Sequence, residues 1–238
     1  MSHDAHGVPL WPLPMAAGLL PAVAAGIALV LATHAGLVPS CNPFIEGCVS
    51  ISRAARHDLP NHVFRALVLP AAVLQALVWL VQARALHVAG GAAMRRSAIA
   101  LAALGVAAGV ALVLYGSFLG TEGATYRWLR HYGTVVCFGG TCLAMLVLGR
   151  ALQRLHVIGA LPLPRGHERA LLALFAAIVA LGVVNALVGA WADAALKDRV
   201  ENVTEWWGSL GLTLAFIVLA SLWRRWGVGA QLSVGTGR

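Results

Sequence analysis

The sequence predicts an all-α, polytopic membrane protein: a bundle of six transmembrane helices with both termini cytoplasmic. Three observations carry that class. Of 238 residues, 60% are hydrophobic and only 11% charged, whereas soluble domains average about 45–50% and about 25%. The apolar residues fall into six runs, each meeting the roughly 20 residues that a bilayer core requires. Lys and Arg are also unevenly shared between the two sides those runs define.

The runs cover approximately 14–38, 62–83, 97–119, 131–152, 168–191 and 201–223, within one transmembrane domain spanning 1–238. In lipid every backbone polar group needs an internal partner, and no run alternates as a strand would, so each is read as a helix. The first is read as an uncleaved span. Its leader, MSHDAHGVPL, has no Lys or Arg, and the apolar run exceeds the length of a signal-peptide core. Pro21 and Pro70 are expected to kink the first and second spans. In the third span, Gly105 with Gly109 and Gly116 with Gly120 form small-xxx-small steps for close helix packing. In the fifth, Gly182, Asn185 and Gly189 share a face, read as interhelical contact with Asn185 hydrogen-bonding across it; Gln75 and Thr141 are read the same way. Cys137 and Cys142 read as small packing residues of the fourth span.

Charge sets the orientation. The side carrying the termini has ten bases (Arg84, Arg95, Arg96, Arg150, Arg154, Arg165, Arg169, Arg224, Arg225 and Arg238) against Asp4 and Glu168. That side therefore holds the whole formal net charge of +8. The opposite side balances seven bases with seven acids. By the positive-inside rule both termini are expected to be cytoplasmic, and the membrane is expected to be the plasma membrane, in a bacterium the inner one. A pI of 10.4 then reports topology, and nucleic acid is not expected as a partner.

The exoplasmic loops, 39–61, 120–130 and 192–200, are dense in charges of both signs. The longest polar interruption is Cys41–His62, CNPFIEGCVSISRAARHDLPNH, expected to pack over the bundle. Cys41 and Cys48 are expected to pair, since exoplasmic thiols oxidise and the loop between them closes easily.

Three clusters meet the same boundary: the loop with His62 and Arg65 behind it, Arg127, Arg130 and His131 opening the fourth span, and Glu201, Asn202 and Glu205 opening the sixth. His131, His62, Glu201 and Glu205 are the candidate acid–base groups. Ser50, Ser52, Arg53, Arg56, Arg65 and Asn202 are the candidate ligand contacts, the arginines because a guanidinium fork suits phosphate. Structural roles compete. Glu201 and Glu205 suit a helix's first turn, and Asp58 or Asn61 could cap the second helix. Arg127 and Arg130 could snorkel as interfacial anchors, and Trp128, Trp191, Trp206 and Trp207 fit an aromatic belt. No two candidates show metal-site spacing, and there is no HExxH, CxxC or Gly-rich phosphate loop, so metal and cofactor are unassigned.

The residues Ser50-Ile51-Ser52 with Asn42-Pro43 upstream, His131 with Gly133 and Phe138, and Glu201-Asn202 with Glu205-Trp206 form an ordered pattern over most of the chain. In that pattern the sequence resembles the Frag/DRAM/Sfk family of six-helix membrane proteins. Its members include damage-regulated autophagy modulators and a Golgi protein that remodels the lipid of GPI anchors. The resemblance implies lipid remodelling, lipid distribution or autophagy. The Cys41 and Cys48 pair is not general in that family. An Ala-, Leu- and Arg-rich composition suggests a bacterial chain, in which the lipid would not be a GPI anchor.

The function expected is therefore the handling or remodelling of a membrane lipid at a polar site in the exoplasmic mouth of the bundle, with catalysis left open. The alternative is a non-catalytic scaffold or assembly partner, docking another membrane protein or a second copy through its glycine faces. A haem-bearing electron carrier is remote, since transmembrane haem needs histidines facing each other at depth, and His34, His57, His62, His87, His131 and His156 lie in loops or at helix ends.

Overall fold

Hydropathy marks contact with lipid rather than helix length, and most of the helices outrun the apolar runs. The computed structural model describes residues 7–161 and 163–230; Asp4 and Arg238, counted in the charge balance, lie outside them. The elements in chain order are β1 (Val8–Pro9), α1 (Pro12–His34), α2 (Ile51–Ala54), α3 (Asp58–Phe118), α4 (Ala124–Val157), α5 (Gly166–Trp191), α6 (Ala194–Trp226) and β2 (Gly229–Ala230). The protein is all-helical apart from the two-residue strands, and five helices are long and apolar enough to cross a membrane.

The second and third apolar runs lie in two helical arms, 58–90 and 92–118, that follow one another with only Gly91 between them. The residues between the runs, 84–96, are mostly Ala and Arg around Gly90-Gly91 and favour helix on either side of the glycines, so the expected connector is helical too. Only Gly91 departs, at φ 53° and ψ −134°, a conformation Gly adopts without steric cost. There the chain reverses. Phe64 packs edge-on to Tyr115 with ring centroids 6.4 Å apart, Ala76 lies against Gly109, and Trp79 lies against Gly105. The arms 58–90 and 92–118 are thus antiparallel, and Gly105 and Gly109 let them approach as expected. Pro21 and Pro70 sit inside uninterrupted helical segments.

Each rod touches the next around a ring. Gln75 Nε2 of the first α3 arm donates to the Ala17 carbonyl of α1 at 3.0 Å. Gly133 of α4 rests on Ala111 and Tyr115 of the second arm. Leu172 of α5 meets Gly149 of α4, Ile178 of α5 meets Gly211 of α6, and Phe216 of α6 meets Gly18 of α1, which closes the circle. β1 pairs antiparallel with β2, Val8 opposite Ala230, so both described ends of the chain meet at the end of the bundle opposite 39–61.

The ring is filled unevenly. Toward the chain ends Trp79 stacks edge-on against Phe216 at 5.6 Å, and Trp223 Nε1 donates to Gln82 Oε1 at 2.6 Å. Trp79, Trp223, Phe216 and Met145 are fully buried there. Toward the other end α1 contributes mainly alanine, Ala24, Ala25 and Ala28, and space remains.

One ion pair locks α4 to α5. His156 Nδ1 lies 2.5 Å from Glu168 Oε2, with the carboxylate buried and the imidazole partly buried. The ring's Nε2 donates to the Leu163 carbonyl at 2.6 Å, so the imidazole also ties down the α4–α5 connector. Glu168 sits in the first turn of α5, where the helix dipole favours an acid. Removing one partner of a buried pair strands the other, which typically costs about 3–5 kcal/mol. Glu168→Ala is therefore expected to lower thermal stability in detergent by that order, whereas the exposed Arg154→Ala stays near wild type; unfolding followed by tryptophan fluorescence checks both.

Candidate functional site

The segment Cys41–Ser52 has many backbone groups and few neighbours of its own to satisfy them, and buried carbonyls need donors. α6 provides them. Asn202 Nδ2 donates to the Gly47 carbonyl at 2.7 Å, Trp206 Nε1 to that of Val49 at 2.9 Å, and Trp207 Nε1 to that of Phe44 at 3.0 Å. Asn202 and Trp206 lie one helical turn apart and so share a face. At Gly47, φ is 63° and a Cβ would collide with the Arg199 carbonyl oxygen; only glycine lets the segment come this close. Cys41 and Cys48 form a disulfide with Cα atoms 6.6 Å apart, as their spacing led us to expect.

The segment then enters α2. Ser50 Oγ caps it by accepting from Arg53 N at 3.1 Å and lies 3.1 Å from Ser52 Oγ. Ser52 N donates to Glu205 Oε1 at 3.2 Å. The Glu205 carboxylate thus partners a first-turn N–H of α2 that would otherwise lack an acceptor. Behind α2, Asn61 Nδ2 donates to the carbonyls of Ala55, at 2.9 Å, and Leu119, at 3.0 Å. The cap expected from Asp58 or Asn61 is absent: His57 occupies the N-cap position without a side-chain cap, and Asn61 instead joins the two ends of α3.

Two cavities adjoin beneath this lid. An apolar chamber of about 150 Å³ is lined by Phe44, Ile51, Val68, Leu112 and Trp206 among others. A cleft of about 660 Å³ lies between α4, α5 and α6, lined at its polar end by Ser52, Arg56, Arg127, Arg130, His131 and Glu201. Tyr115, Thr134, Phe138 and Glu205 line both. On α5 the cleft reaches Gly182 and Asn185. A Cβ at Gly182 would meet nothing within 4 Å, and Asn185 Oδ1 is buried without a partner. The face read as interhelical contact therefore looks into the cleft, because α5 packs closely only along its first half.

Of the candidate residues, Ser52, Arg56, His131, Glu201 and Glu205 come together around the cleft. The others do not. Ser50 and Asn202 are buried and already hydrogen-bonded as cap and clamp. Arg53 is exposed. His62 is exposed and its Nδ1 donates to the Asp58 carbonyl at 2.7 Å, and Arg65 lines neither cavity. Sequence reasoning missed Tyr115 and Thr134, named Phe138 only as part of a motif, and placed Arg127 and Arg130 beside His131 at the boundary without counting them among the ligand contacts. A signal existed: 127, 131, 134 and 138 follow helical spacing on one face of α4. The starting point of 131 for the fourth helix hid it, since α4 begins at Ala124. Among the described residues no group of three His, Cys, Asp or Glu gathers as metal ligands do.

The arrangement has a chemical direction. Guanidinium, imidazole and carboxylate groups occupy one end, while aromatic and aliphatic side chains occupy the chamber beyond Tyr115 and Phe138. The two ends thus differ in chemistry, charged at the cleft and apolar in the chamber. Glu201, Glu205 and His131 are the carboxylates and imidazole that line the cleft, the side-chain types used in acid–base chemistry. Comparisons of the chain with family models, curated proteins and solved structures found no match.

The clamp gives a prediction. Asn202→Ala leaves the buried Gly47 carbonyl without its donor, at a cost of about 1–3 kcal/mol. Hydrogen exchange should show faster exchange of amides 47–53 together with a lowered Tm, while Arg65→Ala, a change outside the clamp, leaves both within about 0.5 kcal/mol of wild type.

Proposed function

We propose that this chain is an integral protein of the plasma membrane, the inner membrane in a bacterium, that crosses the bilayer six times and handles or remodels a lipid. The two α3 arms count as separate crossings. Pairing of β1 with β2 puts both described chain ends together, as an even number of crossings requires, and the arginine excess makes that end cytoplasmic. The cleft then opens at the exoplasmic mouth. In this reading the chain is a relative of the Frag/DRAM/Sfk proteins, supported by the contact between its Ser50-Ile51-Ser52 and Glu201–Trp206 motifs through Ser52 and Glu205.

The observation that carries the lipid reading is the continuity of the charged cleft with the apolar chamber, beside a helix that leaves the cleft open on its flank. α5 exposes Val183, Val184 and Leu187 beside that opening. A soluble metabolite needs no apolar chamber and no sideways entrance within the hydrocarbon layer. A lipid needs both. The headgroup would lie among Arg56, Arg127 and His131, with an acyl chain passing Phe138 toward Trp206. If the lipid is altered chemically, Glu205 and His131 are the proton-handling groups in reach.

Lipid extracts test this. A strain lacking the protein should show a changed lipid profile by mass spectrometry that wild type restores and His131→Ala does not. Glu205→Gln is the sharper variant, because its amide oxygen still accepts from Ser52 N while the charge is lost; it too should fail to restore. A profile unchanged by deletion would sink the proposal. Topology is checked separately: an alkaline phosphatase reporter should be active when inserted at 121–123 and inactive when fused after 230.

A further inference from the structure

Arg56, Arg127 and Arg130 line the cleft and also a second pocket of about 570 Å³ on its outer side, formed with His57, Gly120 and Gly123. Three guanidiniums thus make one wall. Among the described residues none of them lies within salt-bridge distance of a carboxylate; the ion pair found there is His156–Glu168. Glu122 lines the outer pocket and Glu201 and Glu205 line the cleft, yet none pairs with these arginines. Arg130 NH1 donates to the Phe118 and Thr121 carbonyls, which fixes that side chain in place. The Arg56 Nε is buried with no hydrogen-bond partner.

α4 adds to the positive field. It begins after Gly123, a residue without a capping side chain, and has no acid in its first turn. The pocket is lined by Gly123 and Arg127 at this helix start, so the positive end of the helix dipole lies beside it. Arg127 stands in that first turn, where the dipole disfavours a cation unless an anion accompanies it. A buried guanidinium donor with no acceptor is costly by the same logic. Both features are resolved by one anion with several oxygens.

We infer that Arg56, Arg127, Arg130 and the N-terminus of α4 form a phosphate cradle that holds the phosphate of a phospholipid headgroup at the cleft. The inference rests on the lipid reading for the tail and stands on its own for the phosphate. Arginine forks match phosphate oxygens in pairs, and lipid phosphate is the anion that comes attached to an acyl chain for the adjoining chamber. Binding needs no covalent step.

The test uses the full-length protein in detergent and isothermal titration with three water-soluble probes. These are dihexanoyl phosphatidylglycerol, dihexanoylglycerol, which lacks phosphate, and inorganic phosphate. The phospholipid should bind at least about tenfold more tightly than dihexanoylglycerol, the range that charge-assisted hydrogen bonds supply. Arg127→Gln, at an exposed position, should remove most of that advantage without changing dihexanoylglycerol binding. Arg56→Lys should also weaken it, since charge is kept but the fork is lost. Equal binding of the two lipids, or an advantage indifferent to both substitutions, overturns the cradle and leaves the lipid reading standing. Inorganic phosphate binding as tightly as the phospholipid, with Arg127→Gln abolishing it and dihexanoylglycerol inert, supports the cradle, assigns it to free phosphate and overturns its lipid source. No binding of any probe overturns both.

Discussion

The structure depends on one side of α6 acting as a hydrogen-bond donor strip for a segment that is not helical. Asn202, Trp206 and Trp207 reach three carbonyls between Phe44 and Val49, and Glu205 answers with an acceptor for Ser52 N. Each bond is worth only about 0.5–1.5 kcal/mol net in water. Near lipid the comparison changes, because irregular backbone there is tolerated only where protein provides every partner. The strip thus permits the segment to lie over the bundle. The acceptors are backbone carbonyls, but the Phe44 ring also packs against Trp206 and Trp207, each at 5.4 Å, and the missing Cβ of Gly47 sets the approach distance.

This clamp explains why a cavity survives in a bundle of packed rods. At the end near the chain termini, Trp79, Phe216 and Trp223 fill the centre. At the other end the centre is closed from above by α2 and the segment before it, which α6 and Asn61 hold in place. The lid relieves the helices of closing the space themselves, so α1 can present alanines and α5 can lean away. Glu205 belongs to both systems: it accepts from the lid and lines both cavities. That dual placement means its charge and its hydrogen-bonding role can be separated by an isosteric amide.

Hydropathy made the helical class and the six apolar runs legible, because long runs without charge have few other physical meanings. It placed the second and third runs in separate helices, as they are, but could not reveal how tight the connection is: the joining residues stay helical up to Gly90 and one torsion at Gly91 makes the turn. The site was legible by region more than by residue. Asn61 and His62 illustrate the limit. They are neighbours in sequence and about 100° apart around a helix, so one is buried beneath the lid and the other faces outward, and composition has no way to rank them. Arg127 and Arg130 were grouped with His131 but not ranked as ligand contacts, because a helix start assigned by hydropathy alone fell at 131 and hid the face that 127, 131, 134 and 138 share.

α5 supplies the last step. Gly182, Asn185 and Gly189 carry the pattern of a tight helix contact, yet the helix that would answer them is not there. α5 is held at its first half by the His156–Glu168 pair, by Leu172 against Gly149 and by Ile178 against Gly211, and beyond that few of its residues are buried. Free energy of local opening follows buried contact, so this outer half is the part of the bundle whose displacement sacrifices least. It is also the wall of the cleft that borders the apolar surroundings. Small side chains on such a wall widen the cleft instead of sealing it, and Asn185 leaves a buried acceptor inside. The same pattern that reads as helix adhesion in a sequence thus becomes, at Gly182 and Asn185, the lining of a cleft.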